Sequence, residues 1–250
     1  MRGETLDVGP PGTLITVTLS RPEQGNAINR TMLRELDAAL AQAENCAICH
    51  AVVLQGGDGV FCDGMDLTET TVESAAFLAL LRRFTLSPKV IVAAVDGRVT
   101  GGGVGLAAAS DLVVATPRSY FSLPEALLGL LPACVLPYLI RRIGFQRAYR
   151  MALSTQPVAA DQALAWTLVD EVGENPGETV RRLLRRSAQV HPETIGALKR
   201  YAGELAAIDS TTEQRAAAEL SRLLETPQAQ AAIAAMRQRR RPAAGGRGDG

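Results

Sequence analysis

The chain predicts an α/β fold of parallel strands joined by helical crossovers, on three observations. Residues 51–54, Val90–Val95 and Leu112–Ala115 are short apolar runs that read as buried strands. Helical segments lie between them, and buried strands alternating with helices pair in parallel through crossovers. The run Thr100-Gly101-Gly102-Gly103-Val104-Gly105 joins the second of these strands to the small-residue stretch 106–110, a strand-to-helix turn with almost no side chains.

The remaining elements follow in order. Residues 13–19 alternate threonine with apolar residues, as a half-buried strand does, and Arg21-Pro22 through Asn29 reads as a loop. Thr31 is expected to cap a helix running to about Ala43, with Met32, Leu33, Leu36 and Leu40 on one stripe. The strand at 51–54 ends at Gly56-Gly57, and residues 71–86 are helical. Beyond Phe121 the pattern is mainly helical, over 133–143, 146–153 and 159–166, with a short strand at 168–172. From about Gly177 the helices are rich in Ala, Leu and Arg; their stripes (Leu183 and Leu184; Leu198, Leu205 and Ile208) suit packing on another subunit or, equally, on the chain's own core. Residues 237–250, rich in Arg, Gly and Pro, are expected to be disordered. The expected organisation is a core over 1–176, a helical region over 177–236 and a tail over 237–250.

Composition excludes several classes. With 250 residues, 47% of them hydrophobic and 21% charged, the chain can bury a sizeable core as one large domain. Lys plus Arg balances Asp plus Glu at 26 each, so no net field collects nucleic acid or an anionic membrane. The N-terminus has no apolar signal core, and no apolar run approaches the roughly 20 residues of a membrane span; the expected location is the cytoplasm. Cys46-Ala-Ile-Cys49-His50 spells the string of covalent haem attachment. His191 is the only other histidine, however, and three adjacent ligands lack the second pair that a zinc site uses. The string is read instead as a helix end entering the strand at 51, and no metal or cofactor is expected.

The glycine run is a place for negative charge, because it lets a ligand approach the backbone where the first N–H groups of a helix lack internal partners. No Lys-Ser/Thr pair follows Gly105, as a Walker loop requires, and the run lies mid-chain rather than after the first strand, as a dinucleotide fingerprint would. Phosphate is therefore disfavoured, and the run is read as an anion site, for which an oxyanion hole stays open.

Several motifs stand in one order over residues 10 to 175: Arg21-Pro with Asn26-Ala-Ile-Asn29; Phe61-Cys-Asp-Gly-Met-Asp-Leu67; Lys89-Val-Ile-Val-Ala-Ala-Val-Asp-Gly97 running into Gly101-Gly-Gly103; Ser110-Asp111; Phe121-Ser-Leu-Pro-Glu125; and Leu128-Gly129. The set resembles the crotonase (enoyl-CoA hydratase/isomerase) superfamily. That resemblance implies a crotonase-type α/β spiral of ββα units, with C-terminal helices that build a trimer or a dimer of trimers. It implies an oxyanion hole made by the N–H groups of Met65 and Gly102, with Asp63, Gly64, Asp66, Leu67 and Gly101 around the bound thioester.

Typical hydratases of the superfamily carry two glutamates; here the first position is Gly105 and only Glu125 remains. One carboxylate can still take the proton α to a thioester and pass it to a leaving hydroxyl, which suffices for elimination or double-bond migration. The segment 121–146, with Ala107 to Asp111 and Thr155 to Val158, resembles the dehydratases of polyketide β-branching cassettes, and Pro132-Ala-Cys134 replaces the glycine-rich turn of hydratases. The resemblance thus implies loss of water from a 3-hydroxy-3-methylglutaryl group on an acyl carrier protein, giving the 3-methylglutaconyl thioester. Arg98 is the candidate partner of the distal carboxylate, with Asp63 and Cys134 as pocket walls. Arg82, Arg83 and Lys89 are candidates for docking an acidic carrier. A Δ3,Δ2-enoyl-CoA isomerase, a methylglutaconyl decarboxylase and a non-catalytic scaffold of the same fold are the alternatives.

Overall fold

The computed structural model describes residues 2–69, 72–206 and 208–240. Strands β1 (Leu6–Val8) and β2 (Leu14–Leu19) form an antiparallel pair. A single 3₁₀ turn, Pro22–Gln24, leads to helix α1 (Arg30–Asn45). Its cap is Asn29 and not the expected Thr31: Asn29 Oδ1 accepts the Met32 N–H at 2.8 Å. Either residue type can cap, and the extended backbone at Asn29 decides which one does.

Three consecutive units then repeat one plan. Strand β3 (Ala51–Gln55) is followed by β4 (Val60–Cys62) and helix α2 (Ser74–Leu86). Next come β5 (Val90–Val95), β6 (Arg98–Thr100) and helix α3 (Gly102–Ala109). The third unit has β7 (Leu112–Ala115) and β8 (Tyr120–Ser122), closed by a 3₁₀ turn, Glu125–Leu128, in place of a full helix. The first strand of each unit enters a six-stranded sheet of order β1-β2-β3-β5-β7-β10, and the second enters a four-stranded sheet of order β4-β6-β8-β9. The chain therefore winds between two sheets as the spiral of ββα units that the motifs imply.

The rest of the chain is helical: α4 (Leu136–Ile143), α5 (Phe145–Ser154), the two-residue β9 (Val158–Ala159), α6 (Ala160–Ala165), the two-residue β10 (Glu171–Val172), then α7 (Pro176–Ser187), α8 (Pro192–Leu205), α9 (Ser210–Leu224) and α10 (Pro227–Arg240). Several boundaries move from expectation. Helix α2 begins at Ser74, α4 begins at Leu136 after the Pro132 turn, and the strand expected over 168–172 is only β10. The expected tail begins too early, since α10 runs to Arg240; residues 241–250 lie outside the described residues. Of the two packings open to the C-terminal helices, α9 and α10 take the chain's own core, where Ala216, Leu220, Ala229 and Ile233 are buried. Helix α8 leaves Leu198, Tyr201 and Leu205 exposed.

The core fills the space between the sheets and α1 to α4, with Phe61, Phe77 and Phe121 fully buried. Truncating one such ring to alanine costs about 3–5 kcal/mol. Lys89 is buried as well, its Nζ donating to the carbonyls of Cys46 and Cys49 at 3.0 and 2.7 Å. That contact is how the Cys46–His50 string joins α1 to β3. It also withdraws Lys89 from the expected carrier-docking surface. Arg83 is held by Asp37 and Glu44, and Arg82 pairs with Glu213 while its side chain stays exposed.

Candidate active site

The ββα repeat places the chemistry. Strands β4, β6 and β8 are parallel neighbours, with Arg98 opposite Tyr120 and Thr100 opposite Ser122, so their C-terminal ends open on one side. Met65 lies three residues after β4, Gly102 two after β6 and Glu125 three after β8. One exit from each unit delivers one group to one cavity of about 430 Å³.

The two amides converge. Ile28 forms a parallel bridge to Met65, in which the Ile28 N–H donates to Gly64 O at 2.7 Å and the Asp66 N–H donates to Ile28 O at 2.8 Å. In a parallel bridge the middle residue turns its own N–H to the other side, so the Met65 donor is left for the cavity. Gly102 opens α3, where a helix has no internal acceptor for its N–H. A Cβ at Gly64 would lie 3.1 Å from Gly102 N, and one at Gly102 would lie 3.3 Å from Met65 N. Both positions must be bare for the amides to share a small volume. Gly101 takes φ +50°, a backbone that an L side chain rarely adopts, and a Cβ there would stand 3.0 Å from Glu125 Oε1. Two amides so placed can donate to one developing oxyanion.

The loop that carries Met65 is fixed from behind. Arg21 reaches Asp66 at 3.1 Å and the Ala27 carbonyl; Asn26 accepts from the Arg21 N–H at 2.8 Å and donates to Val60 O at 2.9 Å. This is the structural meaning of the Arg21-Pro and Asn26-Ala-Ile-Asn29 motifs. Asp66, expected beside the thioester, is instead turned from the cavity. Its carboxylate is buried and accepts from Arg21 and from the hydroxyl and N–H of Thr68. Burial pushes this carboxyl up, but Thr68 and Arg21 outweigh it and hold the group below its ordinary value.

Glu125 is the contrary case. It begins the 3₁₀ turn after Pro124, its carboxyl end is buried, and Oε2 has no hydrogen-bond partner. Burial pushes its pKa up to about 7, against a smaller opposing hydrogen bond from its own N–H. Cys134 lines the same cavity, 4% exposed, and its thiol is pushed up to about 12 by burial and by the nearby Glu125.

The position of the second carboxylate is crowded. A Cβ at Gly105 would meet Phe77 Cζ at 3.0 Å, Val135 Cγ2 at 3.2 Å and Leu81 Cδ1 at 3.5 Å. Hydrocarbon crowds the first carbon of any side chain at this position.

Asp63, Gly64, Met65, Leu67, Gly101 and Gly102 all line the cavity, as do Arg98, Glu125 and Cys134. Arg98 arrives already paired: Nε and Nη2 donate to the two Asp63 oxygens at 2.6 and 2.7 Å, which with Tyr120 raises its affinity for the proton. Among the described lining residues Asp63, Arg98 and Glu125 are the charged ones. The sequence reading missed Ser74, Phe77, Leu220 and Met236, which also face the cavity. Phe77 carried only a helix-core signal, and nothing in sequence ties Leu220 or Met236 to a loop some 100 residues earlier. Arg237 Nη2 donates to Glu69 O at 3.0 Å, which secures α10 across the 66–69 loop. Among the described residues no group of three or more His, Cys, Asp or Glu is arranged to hold a metal ion. No helix there is long and apolar enough to cross a membrane.

Comparison with known proteins agrees with this geometry. Residues 10–242 match the enoyl-CoA hydratase/isomerase family. The bacillaene synthase dehydratase PksH of Bacillus subtilis (strain 168) is 34% identical over 212 residues, 81% of this chain and 82% of that protein. The enoyl-CoA hydratase AKT6-1 of Alternaria alternata is 38% identical over 168 residues, 65% of this chain and 56% of that protein. Among solved structures, pksH from Bacillus subtilis superposes with a TM-score of 0.87 at 30% identity, covering 96% of this chain and 99% of that one. An enoyl-CoA hydratase from Mycobacterium avium gives 0.86 at 28% identity, with the same coverage. The chain belongs to the enoyl-CoA hydratase/isomerase family and is an enzyme that acts on acyl thioesters.

Proposed function

We propose that this enzyme removes water from a 3-hydroxyacyl thioester, and that its substrate is the 3-hydroxy-3-methylglutaryl group on an acyl carrier protein. The observation that carries the reading is the one carboxylate among the described lining residues that has no cation partner: Glu125 stands 3.0 Å from a Cβ position at Gly101, while the first carbon of a second acid at Gly105 would be crowded by Phe77, Val135 and Leu81. The similarity to PksH, itself a dehydratase, supports the same direction.

The thioester carbonyl accepts from Met65 N–H and Gly102 N–H. Ionised Glu125 takes the α-proton, and the electron pair moves toward the carbonyl oxygen, where the two amides stabilise the enolate. The enolate collapses to the α,β-alkene as the C3–O bond breaks, and Glu125 returns its proton to the departing hydroxyl. One group thus serves as base and then acid, on one face of the substrate. Asp63, Gly64, Leu67 and Gly101 shape the thioester's seat, Cys134 forms the wall beyond Glu125, and no cofactor takes part. Asp63 occupies two Arg98 donors, and the rest of that guanidinium is the partner for the distal carboxylate. Assembly as a trimer or hexamer would cover Leu198, Tyr201 and Leu205 of α8.

The test is mass spectrometry of the carrier-bound substrate after incubation with the purified enzyme and with Glu125→Gln. The expected product has lost one water with the wild type and is absent with the variant. A product of unchanged mass from the corresponding enoyl substrate would make the enzyme an isomerase, loss of carbon dioxide a decarboxylase, and undiminished turnover by the variant would remove Glu125 from the chemistry.

A further inference from the structure

The two faces of the six-stranded sheet differ. Strand side chains alternate, so Ile15, Val17, Val52, Leu54, Ile91 and Ala93 enter the main core, while their neighbours in sequence face the opposite side. On that opposite side α7 packs over β5, β7 and β10. Beside α7, over β2 and β3, lies a cavity of about 450 Å³, as large as the catalytic one and separate from it. Its floor is hydrocarbon from Leu14, Ala51, Val53, Val90 and Ala94, and Val180 and Leu184 of α7 form a wall.

The charged groups there are of one sign. Arg181 and Arg185 stand one turn apart on α7, both exposed, and neither has a carboxylate partner among the described residues. Their neighbour Arg182, by contrast, pairs with Glu171. No Asp or Glu is found among the described lining residues. His50 lines the cavity as well. Its main chain is satisfied, the N–H donating to Thr13 O at 2.8 Å and the carbonyl accepting from Val90 N at 3.0 Å, yet its Nδ1 is buried with no partner. Buried polar atoms are seldom left so.

We infer that this cavity is a second binding site, for an alkyl carboxylate whose chain lies on the sheet and whose head is held by Arg181 and Arg185. A volume of this size suits a small ligand. The apolar floor demands a hydrocarbon body, and two unpaired guanidinium forks demand an anion of planar, bidentate shape. The site is independent of the dehydratase reading, since it shares no residue with the catalytic cavity.

The experiment is titration calorimetry with sodium decanoate below its micelle concentration, together with photolabelling by a diazirine analogue and peptide mapping. Saturable binding is expected, with label in residues 13–16, 50–55 and 180–188. The Arg181→Ala/Arg185→Ala variant, whose changes lie on an exposed helix face, should bind at least about tenfold more weakly while keeping thioester turnover. Thr16→Trp, which puts a large ring on a lining position, should abolish binding, and decanol should bind more weakly than decanoate. Glu125→Gln should leave decanoate binding unchanged. Absence of binding, unaltered affinity in the double-arginine variant, or label confined to residues 63–68 and 124–135 would each overturn the proposal, as would burial of the patch by self-association with decanoate excluded.

Discussion

Two carboxylates flank the converging amides, and the protein treats them in opposite ways. Asp66, one residue after Met65, is buried but met by Arg21 and by two donors of Thr68. Glu125, across the glycine loop, is buried at its tip and left with Oε2 unsatisfied. The first is held below the ordinary carboxylate range and the second is lifted to about 7. A satisfied carboxylate is a structural pin, because every proton it could accept is already opposed by a donor. An unsatisfied one has its proton affinity matched to neutral pH, and that match is what general acid–base work requires. Sequence proximity to the oxyanion loop therefore misleads, and hydrogen-bond satisfaction decides.

The strongest way to break this comparison is Glu125→Gln, expected to lower kcat by roughly 10²–10⁴-fold. In the wild type, kcat/KM should rise with pH and level off above about 7, since the free enzyme must carry an ionised Glu125 to take a proton. Stability should move the other way. A carboxyl whose folded pKa is raised favours the folded state in its protonated form, so its contribution is present below the ordinary value and lost as pH rises through about 7. Between pH 4 and 8 the wild type should lose about 3 kcal/mol relative to the Gln variant, read by denaturant unfolding. A pH-independent difference would show that the carboxyl is solvated after all.

Gly102→Ala comes next. Its Cβ would sit 3.3 Å from both Met65 N and Ile28 Cδ1, narrowing the space where an oxyanion must fit. A loss on the order of 10²–10³ in kcat is expected, with KM changed far less. Activity within threefold of the wild type would mean that the two amides do not share an acceptor. Gly105→Glu then asks whether a second acid can be restored. Overpacking against Phe77 and Val135 together with an unpartnered buried carboxyl should cost more than about 3 kcal/mol, and no hydration activity should appear. A stable variant that hydrates an enoyl thioester would show that the hydrocarbon wall is not what excludes the second carboxylate.

Legibility follows from the range of the contacts concerned. Strands β3, β5 and β7 were plain because nearly every residue in them is buried, whereas β4, β6 and β8 are three residues each, too short to show a period. Met65, Gly102 and Glu125 were readable because each is carried by a local motif at a strand exit. The pairing of Arg98 with Asp63 was not, since it depends on the register of β4 against β6, which crosses 35 residues. Lys89 looked like a surface cation beside an apolar strand. Only the fold shows that the end of α1 offers it two carbonyls.

The smallest expected effect belongs to Asp66→Asn, and it is the sharpest test of the satisfied member. An asparagine keeps an oxygen for Thr68 but can turn an NH₂ toward the Arg21 guanidinium, so donor faces donor where an ion pair stood at 3.1 Å. The expected cost is about 1–3 kcal/mol at pH 7, with thioester turnover reduced only as far as the Met65 loop loosens. Because the folded carboxyl lies below its ordinary value of 3.8, its contribution is present above that value and lost as pH falls through the folded one. The gap between variant and wild type should therefore close on acidification below about pH 4, opposite in sense to Glu125. Unfolding of the variant indistinguishable from the wild type at pH 7 would show that Asp66 pins nothing, and a loss of kcat matching that of Glu125→Gln would place it in the chemistry; either would erase the distinction between the two acids.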